Sequence, residues 1–295
     1  LGKGQGETEE LRVLNKVVRA TDEGIELEAD PRHAELVVKE LNLEHAKPSM
    51  VPGAKDDNSK TGQAPREIDS NTSKNTQARI ALAKSQKVIE NVVNILDRDV
   101  MNIDSARRST ENDSWGDDPS DDIRVGDDQV EEELSPESAR LYRSVAARLN
   151  YLSPDRADIG YAVKESARSM SAPKVSDMRR LRKIGKYLLG KPRLVSKFKY
   201  QDMPSTITSF TDSDWAGCTK SAKSTSGGAI CLGEHVIKTY CKQQKVIALS
   251  SAEAELYAMV AASAETLALQ AYAHDLGLEF GCELYCDSAA ALGIA

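Results

Sequence analysis

Apolar and polar positions along the chain change period several times, and each change marks an element. Residues 11 to 53 begin with LRVLNKVVRA and IELEAD, two β-like runs on either side of T-D-E-G, which predicts a β-hairpin closing at Gly24. Pro31 then opens RHAELVVKELNL, where Ala34, Val37, Val38 and Leu41 recur at helical spacing. A partly amphipathic stretch at 78 to 96, with Ile80, Ala83, Val88, Val92 and Ile95, predicts a lone helix in a polar surround. SPESARLYRSVAARLNYL predicts a helix with Ser135 as N-cap, Pro136 in its first position and Glu137 favouring its positive end. SPDRAD breaks that helix, IGYAVKESARSM predicts a second, and VSDMRRLRKIGKYLLG (175 to 190) a third that stops at Gly190 with Pro192 beyond. The last block reads β-β-β-α-β-α: STITSFTDSDWA, GGAICLG and VIKTYCK as strands, 250 to 277 as a long helix ending at Gly277, CELYCD as a fourth strand, then SAAALGIA. Three antiparallel strands, a helix and a parallel crossover strand define an α/β mixed sheet with flanking helices.

Composition divides the chain. At 295 residues about two domains are expected. Four segments follow: 1 to 53, a hairpin and helix; 54 to 134, rich in Asp, Ser, Asn, Glu and Lys and expected to be mostly disordered; 135 to 200, a helical connection; and 201 to 295, the mixed sheet. A net charge of −7 argues against a generic binder of nucleic acid or membrane, and no run of about 18 apolar residues or signal-peptide core is present. The expectation is an intracellular protein, cytoplasmic or nuclear, with no membrane partner. The chain begins with Leu rather than Met, which suggests a fragment.

Several features read as bland. The glycines at 2, 4 and 6 lack the flanking strand and helix of a phosphate loop, and V-G-D-D at 125 to 128, though similar to a polymerase hairpin, sits in an acidic tract that reads as solvated charge. Cys218, Cys231, Cys241, Cys282 and Cys286 form no C-x-x-C pair and read as small core or surface residues. Trp215 reads as core or interface packing rather than a stacking platform. The four histidines are scattered without a nucleophile partner. The third connection helix and its exit carry a basic run including Arg179, Arg182, Lys183 and Lys186, which suits either a phosphate backbone or a solvated face.

Carboxylates carry the sharper chemistry. Asp212 and Asp214 close the first strand of the last block, Asp287 ends the fourth, and Glu253 and Glu255 lie in the first turns of the long helix. Strand ends of an α/β sheet commonly gather ligand sites. Clustered carboxylates repel unless a cation neutralises them, and all-oxygen ligands suit Mg²⁺ or Mn²⁺. Two such ions, about 3.5–4 Å apart, serve phosphodiester cleavage. Asp also ends strands and Glu starts helices routinely, so spacing alone leaves both readings open.

T-D-S-D-W-A-G (211 to 217), K-S-T-S-G-G (223 to 228), A-L-S-S-A-E-A-E (248 to 255) and Y-C-D-S-A-A-A (285 to 291), in that order, resemble the ribonuclease H domain of copia-type retrotransposon Pol polyproteins. L-Y-R-S-V-A-A-R-L-N-Y-L (141 to 152) with D-R-A-D-I-G-Y-A-V (155 to 163) is similar to that family's link between polymerase and ribonuclease H, and 11 to 53 resembles the end of its reverse transcriptase. The resemblance implies a ribonuclease H-like fold and cleavage of the RNA strand of an RNA–DNA hybrid. It implies Asp212, Glu255 and Asp287 as catalytic residues holding two Mg²⁺ or Mn²⁺ ions, with Asp214 and Glu253 as secondary candidates. Partners would be the hybrid and the rest of the polyprotein. The family's domain continues to a further strand, helix and fourth acid, so a truncated domain without a polymerase site is implied. The alternative is a non-catalytic relic or nucleic-acid-binding fragment; an interaction module built on the acidic segment is a third reading.

Overall fold

A computed structural model of the chain describes residues 8–53, 132–218 and 220–295. The helix expected at 78 to 96, the V-G-D-D tetrapeptide and the glycines at 2, 4 and 6 lie outside the described residues.

The described residues form a mixed α/β structure with two four-stranded sheets and six α-helices. The first sheet joins strands β1 (Glu10–Val13), β2 (Lys16–Ala20) and β3 (Gly24–Glu28) to a distant fourth, β4 (Val195–Lys199), in the order β1-β2-β3-β4, all antiparallel. This corrects the expected single hairpin in two ways. LRVLNKVVRA is two strands, because Leu14 (φ 50°) and Asn15 (φ 66°) turn the chain back in the left-handed region. A two-residue turn of that hand matches the twist of the strands it joins. Pairing of β3 with VSKFK, a segment read from sequence only as a basic helix exit, supplies the fourth strand. Glu28 ties this seam: buried itself, it accepts from Arg193 on the approach to β4 and from Arg19 on β2.

Helix α1 (Pro31–Glu40) starts on Asp30, whose carboxylate accepts the Arg32 N–H, and it buries Ala34, Val37 and Val38 as the spacing predicts. Helix α2 (Pro136–Leu152) opens on Ser135 and Pro136 as expected, and two short 3₁₀ turns lead to α3 (Gly160–Arg168) and α4 (Val175–Gly190). These four helices share one apolar core, including Val37, Leu41, Leu43, Tyr142, Leu149, Ile159, Leu181 and Leu188. Gly190 ends α4 without adopting positive φ; a Cβ there would stand 2.8 Å from the Pro48 Cβ, so close packing accounts for the glycine rather than a left-handed cap. At the α4 exit the fully buried Arg156 grips Asp158 with two nitrogens and donates to the Lys191 and Pro192 carbonyls. The chain is thereby aimed into β4.

The second sheet has the order β7-β6-β5-β8, from β5 (Thr206–Asp214), β6 (Thr225–Leu232), β7 (His235–Gln243) and β8 (Gly281–Tyr285). β5 pairs antiparallel to β6 and parallel to β8, as the pattern predicts. Helix α5 (Ser251–Asp275) crosses between β7 and β8 and ends where Gly277 takes φ +78°. Ala254, Ala258, Ala262 and Thr266 form an i, i+4 row of small buried residues, and Thr266 meets the Ser209 hydroxyl at 2.5 Å on β5. Small side chains on that row let the helix lie close to the strand, while Glu265 on the same helix takes Lys238 and Lys242 of β7. Helix α6 (Ala289–Ile294) follows β8. No helix among the described residues is long and apolar enough to cross a membrane.

Candidate active site

β5 outruns its neighbour. Its pairing with β8 stops at Phe210 opposite Tyr285, while its pairing with β6 continues to Asp214 opposite Thr225. The Ser213 N–H, in the part of β5 beyond β8, is taken by Glu255, whose Oε1 accepts it at 3.0 Å. An orphaned strand N–H inside the fold is costly, so this bond both satisfies β5 and fixes Glu255, only 7% exposed, beneath the sheet edge.

The chain leaving β8 completes the centre. One ligand atom each from Glu255, Cys286 and Asp287 lie within 4.8 Å of one another. The Cys286 thiol donates to Glu255 Oε2 at 3.5 Å and in turn accepts the Ser288 N–H at 3.5 Å. Ser288 caps α6 by accepting the Ala291 N–H. Asp287 is exposed, and so is Asp212, on β5 opposite Gly227. Asp212 stands outside the tight group, but its charge reaches Glu255. Burial pushes the Glu255 carboxyl up from its ordinary value, the Ser213 N–H opposes, and the charges of Asp212 and Asp287 push it further up.

The secondary candidates go elsewhere. Glu253 accepts the Leu249 N–H at 2.7 Å and the Tyr257 hydroxyl at 3.2 Å, while its own N–H is capped by Ser250, so it serves the start of α5. Asp214 closes β5; its carbonyl accepts the Gly217 N–H, its carboxylate packs where a Cβ of Gly217 would fall, and its charge acts on Cys241. Trp215, expected in core or interface packing, is half exposed rather than in the core, its indole N–H donating to the Ala248 carbonyl at 3.1 Å.

Arg179, Arg182, Lys183 and Lys186 follow one another at helical spacing on the side of α4 away from Leu181, Ile184 and Leu188. Arg182 spends one nitrogen on the Leu41 carbonyl beyond α1, at 2.9 Å.

Sequence reasoning set Cys286 aside with the other cysteines. Its neighbour Asp287 was the only signal available, because its meeting with Glu255 joins residues 31 positions apart. Burial, reinforced by Glu255 and Asp287, pushes its thiol up to about 11, so it stays protonated at neutral pH. Cys218 is the opposite case: burial alone would raise it, yet hydrogen bonds from Ser221 and Arg168 bring it down to about 7.

The described residues thus form a mixed α/β structure in which Glu255, Cys286 and Asp287 meet at one sheet edge, with Asp212 within electrostatic reach of Glu255. The chain is 31% identical over 152 residues to the retrovirus-related Pol polyprotein from transposon RE2 of Arabidopsis thaliana, covering 51% of this chain and 10% of that protein. It is 30% identical over 156 residues to the Pol polyprotein from transposon TNT 1-94 of Nicotiana tabacum, covering 52% and 12%. An uncharacterized mitochondrial protein of Arabidopsis thaliana is 33% identical over 124 residues, covering 42% of this chain and 51% of its own length. No family model matches the chain, and no solved structure matches it. The chain is homologous to retrovirus-related Pol polyproteins of copia-type transposons. It spans about half the length of the mitochondrial relative and about a tenth of the polyproteins.

Proposed function

We propose that residues 201 to 295 form a ribonuclease H-like domain that cuts the RNA strand of RNA–DNA hybrids, as part of a retrotransposon Pol polyprotein, with Asp212, Glu255 and Asp287 as its catalytic acids. The observation that carries this reading is Glu255: a buried carboxylate aimed at Asp287 and within electrostatic reach of Asp212. Its hydrogen-bond donors, the Ser213 N–H and the Cys286 thiol, are both neutral. A buried carboxylate beside the charges of two exposed ones gathers negative charge in one place, which a hard divalent cation fits.

Asp212, Glu255 and Asp287 would hold Mg²⁺ or Mn²⁺, which when bound in a pair activates water and stabilises the leaving oxygen of a phosphodiester. The protein's own part is orientation. Ser213 fixes one oxygen of Glu255, burial keeps bulk water from that carboxylate, and the exposed Asp212 and Asp287 face incoming substrate. Arg179, Arg182, Lys183 and Lys186 would track the nucleic-acid backbone, and contacts to the 2′-hydroxyl would select the RNA strand.

The full chain, incubated with a hybrid labelled separately on each strand and with Mg²⁺ or Mn²⁺, should cut the RNA and spare the DNA. Asp212→Asn and Asp287→Asn should abolish cutting. Absence of cleavage, or cleavage that survives Asp212→Asn, overturns the assignment.

A further inference from the structure

We infer that Cys286 is a positioning residue of the carboxylate centre: its thiol orients the Glu255 carboxylate and couples it to the turn that carries Asp287. The inference rests on the cation-binding reading of these acids and adds a residue to it.

Three observations carry it. The two oxygens of Glu255 are held by different donors, the Ser213 N–H on Oε1 at 3.0 Å and the Cys286 thiol on Oε2 at 3.5 Å, so together they fix the carboxylate about its terminal torsion. Terminal carboxylate torsions are otherwise broad and two-fold, so without a second donor only one edge would be held. The sulfur is itself fixed, because it accepts the Ser288 N–H at 3.5 Å, and Ser288 is the N-cap of α6. A continuous path therefore runs from the α6 cap through sulfur to Glu255, and Asp287 lies on the backbone inside that path. A thiol suits the place: it donates one hydrogen bond weakly, adds no charge to a centre already rich in negative charge, and fills half-buried space as a small apolar group would.

Outer donors that orient metal ligands typically govern about 10-fold or more of metal affinity. The test compares wild type, Cys286→Ala and Cys286→Ser in the full 295-residue chain. Mn²⁺ binding is followed by electron paramagnetic resonance, and the S–H infrared stretch by difference spectra against Glu255→Gln. Cys286→Ala should weaken Mn²⁺ binding about 10-fold; Cys286→Ser, which keeps a donor, should recover most of the affinity. The S–H band should move to higher frequency in Glu255→Gln. Equal Mn²⁺ affinity in wild type and Cys286→Ala, or a serine variant no better than alanine, overturns the proposal while leaving the nuclease reading intact. If the wild-type chain binds Mn²⁺ with this pattern but cuts no hybrid, the nuclease reading falls and the positioning role stands. A wild-type chain that binds no Mn²⁺ overturns both.

Discussion

Glu28 and Glu255 are both buried acids, and they titrate in opposite directions because their donors differ. Hydrogen bonds from Arg193 and then Arg19, outweighing burial, hold the Glu28 carboxyl below its ordinary value of 4.5, whereas burial lifts Glu255 above the same value. Linkage gives each a sign. Glu28 is ionised more readily folded than unfolded, so its contribution is present above about pH 4.5 and is lost as pH falls through its folded value. Glu255 holds its proton more tightly folded than unfolded, so its stabilising effect is present below about pH 4.5 and is lost as pH rises through its folded value. Cation-free thermal melts across pH 3 to 8 should therefore separate the two, where those pH limits are roughly the span of carboxylate titration. Glu255→Gln should flatten the loss of stability on the rising side. Glu28→Gln should flatten the loss on the acid side and lower stability at neutral pH by about 1.5–3 kcal/mol, the range for hydrogen bonds to charged groups. The same slope for wild type and Glu255→Gln above about pH 5 (roughly half a unit past an ordinary glutamate) would mean Glu255 is not held in the buried state described.

At the level of elements, close packing rather than chain stiffness explains the α4 terminus. Gly190→Ala would gain helix propensity of up to about 1 kcal/mol, but its methyl must share space with the rigid Pro48 ring. A net loss of about 1–2 kcal/mol in chemical denaturation is expected, the lower part of the range for overpacking. The β1–β2 turn has the reverse bias. Leu14 is exposed and sits at φ 50°, a conformation that costs a branched side chain about 1 kcal/mol and asparagine less. Leu14→Asn should raise stability by up to about 1 kcal/mol, measured as a shift in denaturation midpoint with unchanged slope. These two positions also mark what a reader of the sequence can and cannot see. The start of α2 was legible because Ser135 caps it through a bond three residues away, and Ser250 does the same for α5. The break at Leu14 carried no Gly to announce it. β4 was invisible because VSKFK becomes a strand only by meeting β3, about 170 positions earlier. In the candidate site the acids were legible as residue types at element ends, but the Glu255–Cys286 meeting depends on how far β5 outruns β8, which no local pattern encodes.

Across the whole molecule, the helical unit bears directly on the sheet that carries the acids. Lys164 of α3 donates to the Thr225 hydroxyl at 2.9 Å, and Arg168 to the Cys218 sulfur at 2.7 Å. Thr225 is the β6 partner of Asp214, so the connection braces the acid-bearing end of β5 rather than trailing from it. The chain as a whole carries a net charge of −7 and would repel a polyanion at long range. On the proposed reading, affinity for a hybrid would come from a local concentration of positive charge, to which the exposed Arg179 and the half-buried Lys183 one turn on would contribute. Each phosphate contact contributes about 0.9 to the slope of log affinity against log salt concentration for a duplex. The double variant Arg179→Ala/Lys183→Ala should therefore reduce the magnitude of that slope by about two, weaken binding across hybrid sequences alike, and leave the cleavage rate at saturating substrate near wild type. Fluorescence anisotropy titrations at four or more salt concentrations measure the slope. If it is unchanged in the double variant, α4 presents only a solvated face, and the hybrid is held by the sheet edge around Asp212 and Asp287 alone.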